Sequence, residues 1–356
     1  MNRFQYFLII FALCCLGTAD VTAGNPDRQG EAGAPELLMV PYARLAGLHA
    51  MSTSLTKGVE AMRLNVAGVG RINKTEFVAS YGIYLQGTGV NMNGFGFAQR
   101  IGENGAIGVS LMALDFGENM VTTVAQPEGT GATFSPSYFN IGVGYSHVFA
   151  NKISVGILFR GISERISDLS ANSFAIDAGV QYVTGESDNF KFGISLRNIG
   201  PSMQYEGEGL SFTTEIPFEG STYGTAVNNR PLQYELQSVL NIGASYDFLL
   251  GGKSRLTLLA NFASNSFSQD QVGGGLEFAF NDMFMLRGGY RYDFGQTAAD
   301  GVSQPIYSGP CGGVSIEVPV GEDTEDKKAT RFGVDYAYRA SNLFSGSHNI
   351  GIRLSF

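Results

Sequence analysis

The side chains that could do chemistry in this 356-residue chain are few and scattered. Asp177, Glu277, Asp293 and Asp335 are the carboxylates that a strand periodicity would turn toward an interior, where a close pair could act as general acid and base. Arg160, Arg197, Arg287 and Arg291 fall on the same inward faces. Pairing between these two sets, or solvation inside a lumen, explains them more simply than catalysis, because charged residues in the interior of a membrane barrel are routine. The three histidines, His49, His147 and His348, are too far apart in sequence to suggest a metal site. Gly273–Gly275 and Gly312–Gly313 are not followed by a helix, so they are not phosphate loops. They read instead as places where another backbone comes close. These residues predict no catalytic site, no metal and no cofactor, and a protein that is not an enzyme.

The elements that would position these residues repeat one pattern from about Thr75 to the end. Roughly ten residues alternate between apolar and polar, and a turn follows. Phe284, Leu286, Tyr290 and Tyr292 alternate with Arg287, Gly289, Arg291 and Asp293. Phe190, Phe192, Ile194 and Leu196 alternate with Lys191, Gly193, Ser195 and Arg197. Phe332, Val334, Tyr336 and Tyr338 alternate with Gly333, Asp335, Ala337 and Arg339. About fourteen such strands can be counted, starting near Thr75, Val90, Ala106, Ser137, Lys152, Asn172, Asn189, Tyr234, Ser254, Asp270, Met283, Cys311, Thr330 and Ser347.

Composition decides between a soluble sandwich and a membrane barrel. Only 15% of residues are charged, where a soluble domain carries about 25%. No run of about 18 apolar residues exists to form a spanning helix. Lipid offers no hydrogen bonds, so a spanning sheet must close on itself. The predicted fold class is all-β: a transmembrane antiparallel β-barrel of about 14 strands. The tight turns Gly102–Gly105, Ala150–Asn151, Gly185–Asp188, Gly251–Lys253 and Asn281–Asp282 alternate with longer connections at Gly117–Pro136, Ser163–Ala171, Gly200–Gln233 and Gly295–Pro310. Short turns belong to the periplasmic side and long loops to the outside. Both termini are therefore expected in the periplasm, and the protein in a bacterial outer membrane. Tyr138, Phe139, Tyr182, Tyr246, Phe248, Tyr292, Phe294 and Tyr338 are candidates for the interfacial girdles, since there is no Trp. In the strand around Ile157, that residue should face lipid and Leu158 the lumen.

Three segments divide the chain. Residues 1–23 read as a cleaved signal peptide: Arg3, an apolar stretch Phe7–Leu16, and small residues Val21-Thr22-Ala23 before Gly24. Residues 24–73 lack the strand pattern, include a possible short helix at Val59–Leu64, and are too short for a sturdy domain. They read as a hatch inside or under the barrel, which itself occupies residues 74–356. Cys14 and Cys15 leave with the signal, so only Cys311 remains and no internal disulfide forms. A net charge of −9 argues against a nucleic-acid partner.

Four segments resemble the PorV/PorQ family of outer-membrane proteins, whose barrel is similar to that of the fatty-acid transporter FadL. They are Ala32-Gly33-Ala34-Pro35-Glu36-Leu37-Leu38 leading to Ala46-Gly47; Gly58-Val59-Glu60-Ala61 with Asn65, Ala67 and Gly68; Ser195–Met203; and Phe280–Phe284 with Leu286–Tyr290. The chain departs from the family run Trp-Asn-Pro-Ala-Gly at Leu64–Gly68. The resemblance implies a fourteen-stranded barrel with an N-terminal hatch, linked to type IX secretion. It also implies a binding or shuttle role toward the translocon and the C-terminal domains of secreted cargo. A FadL-like transporter of small hydrophobic molecules is the alternative. The candidate partner-binding residues are Tyr205, Phe212, Phe218 and Tyr223 in the long outer loop, with Gly207–Gly209 as its expected tip. The terminal Phe356, ending an amphipathic strand, resembles the signal read by the barrel-assembly machinery. Outer-membrane lipid is the remaining expected partner.

Overall fold

A computed structural model of the chain describes residues 28, 30–218, 221–251, 253–294, 306–321, 329–342 and 344–356. The proposed signal peptide, most of the connection 295–310 and the acidic segment 322–328 lie outside these residues.

Alternating side chains make the sheet, and closure makes it fit for lipid. Fourteen strands form one closed barrel in which every neighbouring pair is antiparallel. They are β1 (Thr75–Ile83), β2 (Asn91–Ile101), β3 (Gly105–Asp115), β4 (Ser137–Phe149), β5 (Ile153–Ile166), β6 (Leu169–Thr184) and β7 (Phe190–Ile199), then β8 (Val239–Leu249), β9 (Ser254–Asn265), β10 (Gln271–Phe280), β11 (Phe284–Asp293), β12 (Tyr307–Val320), β13 (Thr330–Ser341) and β14 (Ser347–Ser355). Strand β14 pairs with β1 from Glu76↔Ser355 to Ile83↔His348, which removes both sheet edges. The last residue completes the seam: the Phe356 N–H donates to Thr75 O at 2.8 Å, and its ring meets Phe77 edge-on at 6.4 Å. Along β4, Phe139, Ile141, Val143 and Tyr145 are exposed on the outside, whereas Asn140, Gly142, Gly144 and Ser146 are buried inside. Ile157 faces out and Leu158 is fully buried. An apolar outside and a polar inside is the arrangement lipid demands.

Three sequence expectations need correction here. Strands β5 and β6 run on through Ser163–Ala171 and meet at a two-residue turn, Ser167–Asp168, so no long outer connection exists there. The register Glu164↔Ala171 to Ile166↔Leu169 shows why: the ladder continues where Glu164 and Arg165 break the apolar alternation, with Glu164 and Ala171 buried on the inward face and Arg165 exposed on the other. Tyr138 is no girdle residue; it is 2% exposed and points inward, one residue out of phase with Phe139. The third correction concerns the amino end. Ala32–Gly33 pairs in parallel with Glu235–Leu236, just before β8 starts at the loop-rich end. Arg28 bonds the Glu235 carboxylate at 3.0 Å and stacks over Phe267 at 4.5 Å. The first described residues therefore sit at the outer mouth, not in the periplasm.

From that mouth the chain descends through the lumen as short helical turns, Pro35–Leu38, Ala43–Ala46, Val59–Arg63 and Val66–Arg71, and leaves beside Thr75 at the other end. Leu37 packs near the mouth with Met112, Leu114, Tyr138 and Ile162. Deeper down, Tyr42, Leu45, Met62 and Val69 pack with Val78, Ala98, Ala106 and Leu158. Inward-facing glycines admit this segment. A Cβ on Gly156 would lie 2.8 Å from the Val66 carbonyl carbon, one on Gly193 2.5 Å from Thr53 O, and one on Gly179 2.1 Å from Asn65 Oδ1. Gly273 similarly abuts Met51, and Gly313 lies against Gly47.

The path of the amino-terminal segment is open to a direct test. In a chain lacking Cys311, a single cysteine at exposed Glu31 should react with an impermeant thiol reagent on intact cells. One at Asn151, in a short turn of the opposite end, should not. The reverse pattern would invert the descent of the segment.

Candidate functional site

The lumen holds two polar systems, one on each side of the descending segment. On the β4–β7 side, the Arg160 guanidinium donates to Asp177 Oδ2 at 2.8 Å, to Met62 O at 3.0 Å and to Asn140 Oδ1 at 3.2 Å. Arg63 donates to the same Asn140 oxygen at 3.1 Å and to Met39 O at 2.8 Å. Asp177 accepts its second bond from the Asn198 N–H at 2.7 Å, and Arg197 donates to Leu37 O at 3.2 Å. Both lumen-wall arginines, 160 and 197, thus hold backbone carbonyls of the amino-terminal segment. These carbonyls end short helical turns and lack helical partners of their own.

On the β7–β14 side, opposite charges alternate from strand to strand near the short-turn end. Lys191 pairs with Asp247; Asp247 faces Arg255 at 3.6 Å; Arg255 meets Glu277 at 3.1 Å; Glu277 binds Arg287 at 2.6 Å. Arg287 donates to the Ser315 hydroxyl, which donates in turn to Asp335. Arg353 closes the ladder, 3.7 Å from Asp335, 2.7 Å from Glu317 and 4.0 Å from Glu60 of the amino-terminal segment. No two carboxylates in this series stand together unpaired, so the geometry gives structural pairing and no acid–base couple.

Each sequence-derived lumen residue can now be placed. Arg160 joins Asp177, Arg287 joins Glu277, and Arg291 lies 3.4 Å from Asp293. Asp335 pairs with Arg353 of the last strand, β14, a partner the sequence reading passed over because cross-strand register cannot be read from strand periodicity. Arg255 and Glu317 were missed likewise, although both have inward parity on strands already counted; Glu60 sits in the turn Val59–Arg63 of the amino-terminal segment, where no strand parity marks it. Among the described residues, no His, Cys, Asp and Glu cluster could hold a metal ion.

The loop between β7 and β8 has a fixed base and a projecting hairpin. Met203 pairs with Tyr234 and Ser170 with Glu206, and Met203 and Leu236 are buried in the mouth cluster. Tyr205 and Tyr234 each donate a hydroxyl to Glu164 Oε2 at 2.9 Å. Burial first, then this carboxylate, push the Tyr205 phenol up to about 12, so it remains a donor. Tyr205 therefore braces the loop. Gly207 rests on the Ser167–Asp168 turn, where a Cβ would lie 2.0 Å from Asp168 O, so Gly207–Gly209 is not the tip. The tip is the hairpin Ser211–Phe218 with Ser221–Asn228. In its register Phe212 lies opposite Val227 and Tyr223 opposite Ile216, and Phe212 is 47% exposed. Phe218 and Tyr223 occupy backbone positions in this hairpin; their side chains lie outside the described set.

The buried pairing has a measurable worth. Asp177→Ala strands Arg160 without its carboxylate and should lower folding stability by about 3–5 kcal/mol. It would be read from the urea dependence of the heat-modifiable folded band. Asp188→Ala, which breaks the rim pair with Lys152 at 2.8 Å, should leave that dependence unchanged because both side chains are half exposed. Equal behaviour of the two variants would contradict this account of the lumen.

The structure is similar to the P. putida toluene transporter TodX, with a TM-score of 0.52 at 11% identity over 89% of this chain and 99% of that one. It is also similar to a Pseudomonas aeruginosa FadL homologue, with a TM-score of 0.51 at 12% identity over 88% and 97% of the two chains. At these identities the likeness shows the FadL-like outer-membrane barrel fold. No curated protein matches the sequence. A family model described as type IX secretion system membrane protein PorP/SprF matches residues 88–354, three-quarters of the chain. The resemblance to PorV/PorQ proteins thus holds at the level of type IX secretion barrels, and the chain belongs to the PorP/SprF family of type IX secretion system membrane proteins.

Proposed function

We propose that this barrel is a binding component of type IX secretion, a shuttle or assembly protein of the PorV/PorQ kind. It would engage the translocon or the C-terminal domains of secreted proteins at its outer face. The observation that carries this reading is the filled lumen beneath a built outer loop. Leu48 lines a cavity at the short-turn end and Met51 one at the outer end, and the two pack with Leu259 between these spaces. A FadL-like transporter needs a continuous path, and this cluster interrupts one. The recognising surface is assigned to the hairpin positions Phe212, Phe218 and Tyr223, with Tyr205 holding the loop's base. Aromatic residues on a loop above a rigid scaffold are suited to such contacts.

Biogenesis completes the proposal. Residues 1–23 direct export and are removed, residues 24–73 form the hatch and residues 74–356 the barrel. Phe356 presents the terminal strand to the barrel-assembly machinery.

A mild-detergent pull-down from outer membranes, with mass spectrometry of what co-purifies, tests the function. Secretion-system components or their cargo are expected with the intact chain. A variant lacking Ser211–Asn228 should keep its heat-modifiable band and lose those partners. Deleting Phe356 should instead reduce the inserted barrel itself. Recovery of lipid alone, or partners retained without the hairpin, would overturn the assignment.

A further inference from the structure

The cavity at the outer end is built for more than filling space. It measures about 350 Å³, at the lower end of the range of small-molecule sites, roughly 300–1,000 Å³, and far too small for a folded domain. Among the described residues its charged lining is unbalanced: Arg197, Arg291 and Arg339 face a single carboxylate, Asp293, which Arg291 already engages at 3.4 Å. The larger cavity at the short-turn end differs, because Asp247, Glu277 and Glu317 there meet the cations of the ladder.

Arg339 is 5% exposed, and its guanidinium stacks over Tyr307 at 4.4 Å. Its Nε and Nη2 make no hydrogen bond among the described residues, and neither do Arg197 Nε or the buried Asn241 Nδ2. A buried cation whose donors go unused is unfavourable unless an anion compensates it. Around these donors the wall is apolar: Leu38, Met51, Leu64, Val239, Ala263 and Ile306.

We propose that this cavity binds a small amphipathic anion, with an oxyanion head on the free Arg339 donors beside Arg291 and an apolar body along the Met51–Val239 wall. The site rests on the cavity's own side chains and is independent of the partner-binding reading.

The test is equilibrium dialysis of the full chain in a non-ionic detergent, using octanoate, octan-1-ol and inorganic phosphate as probes. Octanoate should saturate at one per chain, with octan-1-ol and phosphate each weaker by about tenfold or more. Arg339→Gln should weaken octanoate by about tenfold, the worth of one charge-assisted hydrogen bond. Arg291→Gln, which removes the other cation beside Arg339 and Tyr307 in the lining, should weaken it as well and serves as the reading if Arg339→Gln does not give the heat-modifiable band. Equal binding of octan-1-ol would remove the anion, equal binding of phosphate would remove the apolar body, and unchanged octanoate binding in the folded variants would remove the site.

Discussion

The structure depends on one constraint: a barrel of fourteen strands encloses a lumen too wide for its own inward side chains to fill, so another part of the chain must fill it. The amino-terminal segment does so by coming close enough to touch the wall's backbone. That approach is possible only where the wall has no side chain. Gly156 and Gly193 lie against backbone atoms of Val66 and Thr53, which cannot swing aside as the end of a flexible side chain could. Each of these glycines would destabilise an ordinary strand, since it packs nothing and loses conformational freedom on folding. Here it is the complement of a packed neighbour.

The same seating fixes the chemistry of the interior. Asn65 illustrates the link from sequence to packing: its side chain caps the turn Val66–Arg71 through the Ala67 N–H at 3.2 Å and also donates to Val180 O on the wall at 3.1 Å. Arg160 and Arg197 hold segment carbonyls from the other direction. What remains of the lumen is lined by a charge ladder that satisfies itself. At the outer end lie the hairpin, the amino-terminal residues paired to Glu235–Leu236 and the small basic cavity.

Much of this was legible in the sequence because a barrel strand has a two-residue period and two contrasting solvents. Thr75, Ser137, Ser254, Thr330 and Ser347 begin strands as the alternation implies. The reading failed where that contrast disappears. At the outer end of β5 and β6 charged residues stand on both phases, Glu164 inward and Arg165 outward, so Ser163–Ala171 looks like a loop although it is strand. Tyr138 carries a large apolar ring on the inward phase, where residue type and phase disagree and phase wins. The depth of the amino-terminal segment had no periodic signal at all. Its direction is set by contacts such as Arg28 with Glu235, more than two hundred residues apart, which no local pattern encodes. The inward charges were visible but their pairing was not, because it follows cross-strand register and chain closure.

The central claim is that the segment is an integral part of the barrel's interior. Hydrogen–deuterium exchange of the full chain in non-ionic micelles tests it most directly, because protection reports local opening. The account predicts that peptides covering Val59–Arg71 exchange as slowly as those of β4 and β5, and that the hairpin Ser211–Asn228 exchanges much faster. Peptides of Val59–Arg71 exchanging as fast as the hairpin, in a barrel whose strands remain protected, would show that the lumen is not held shut.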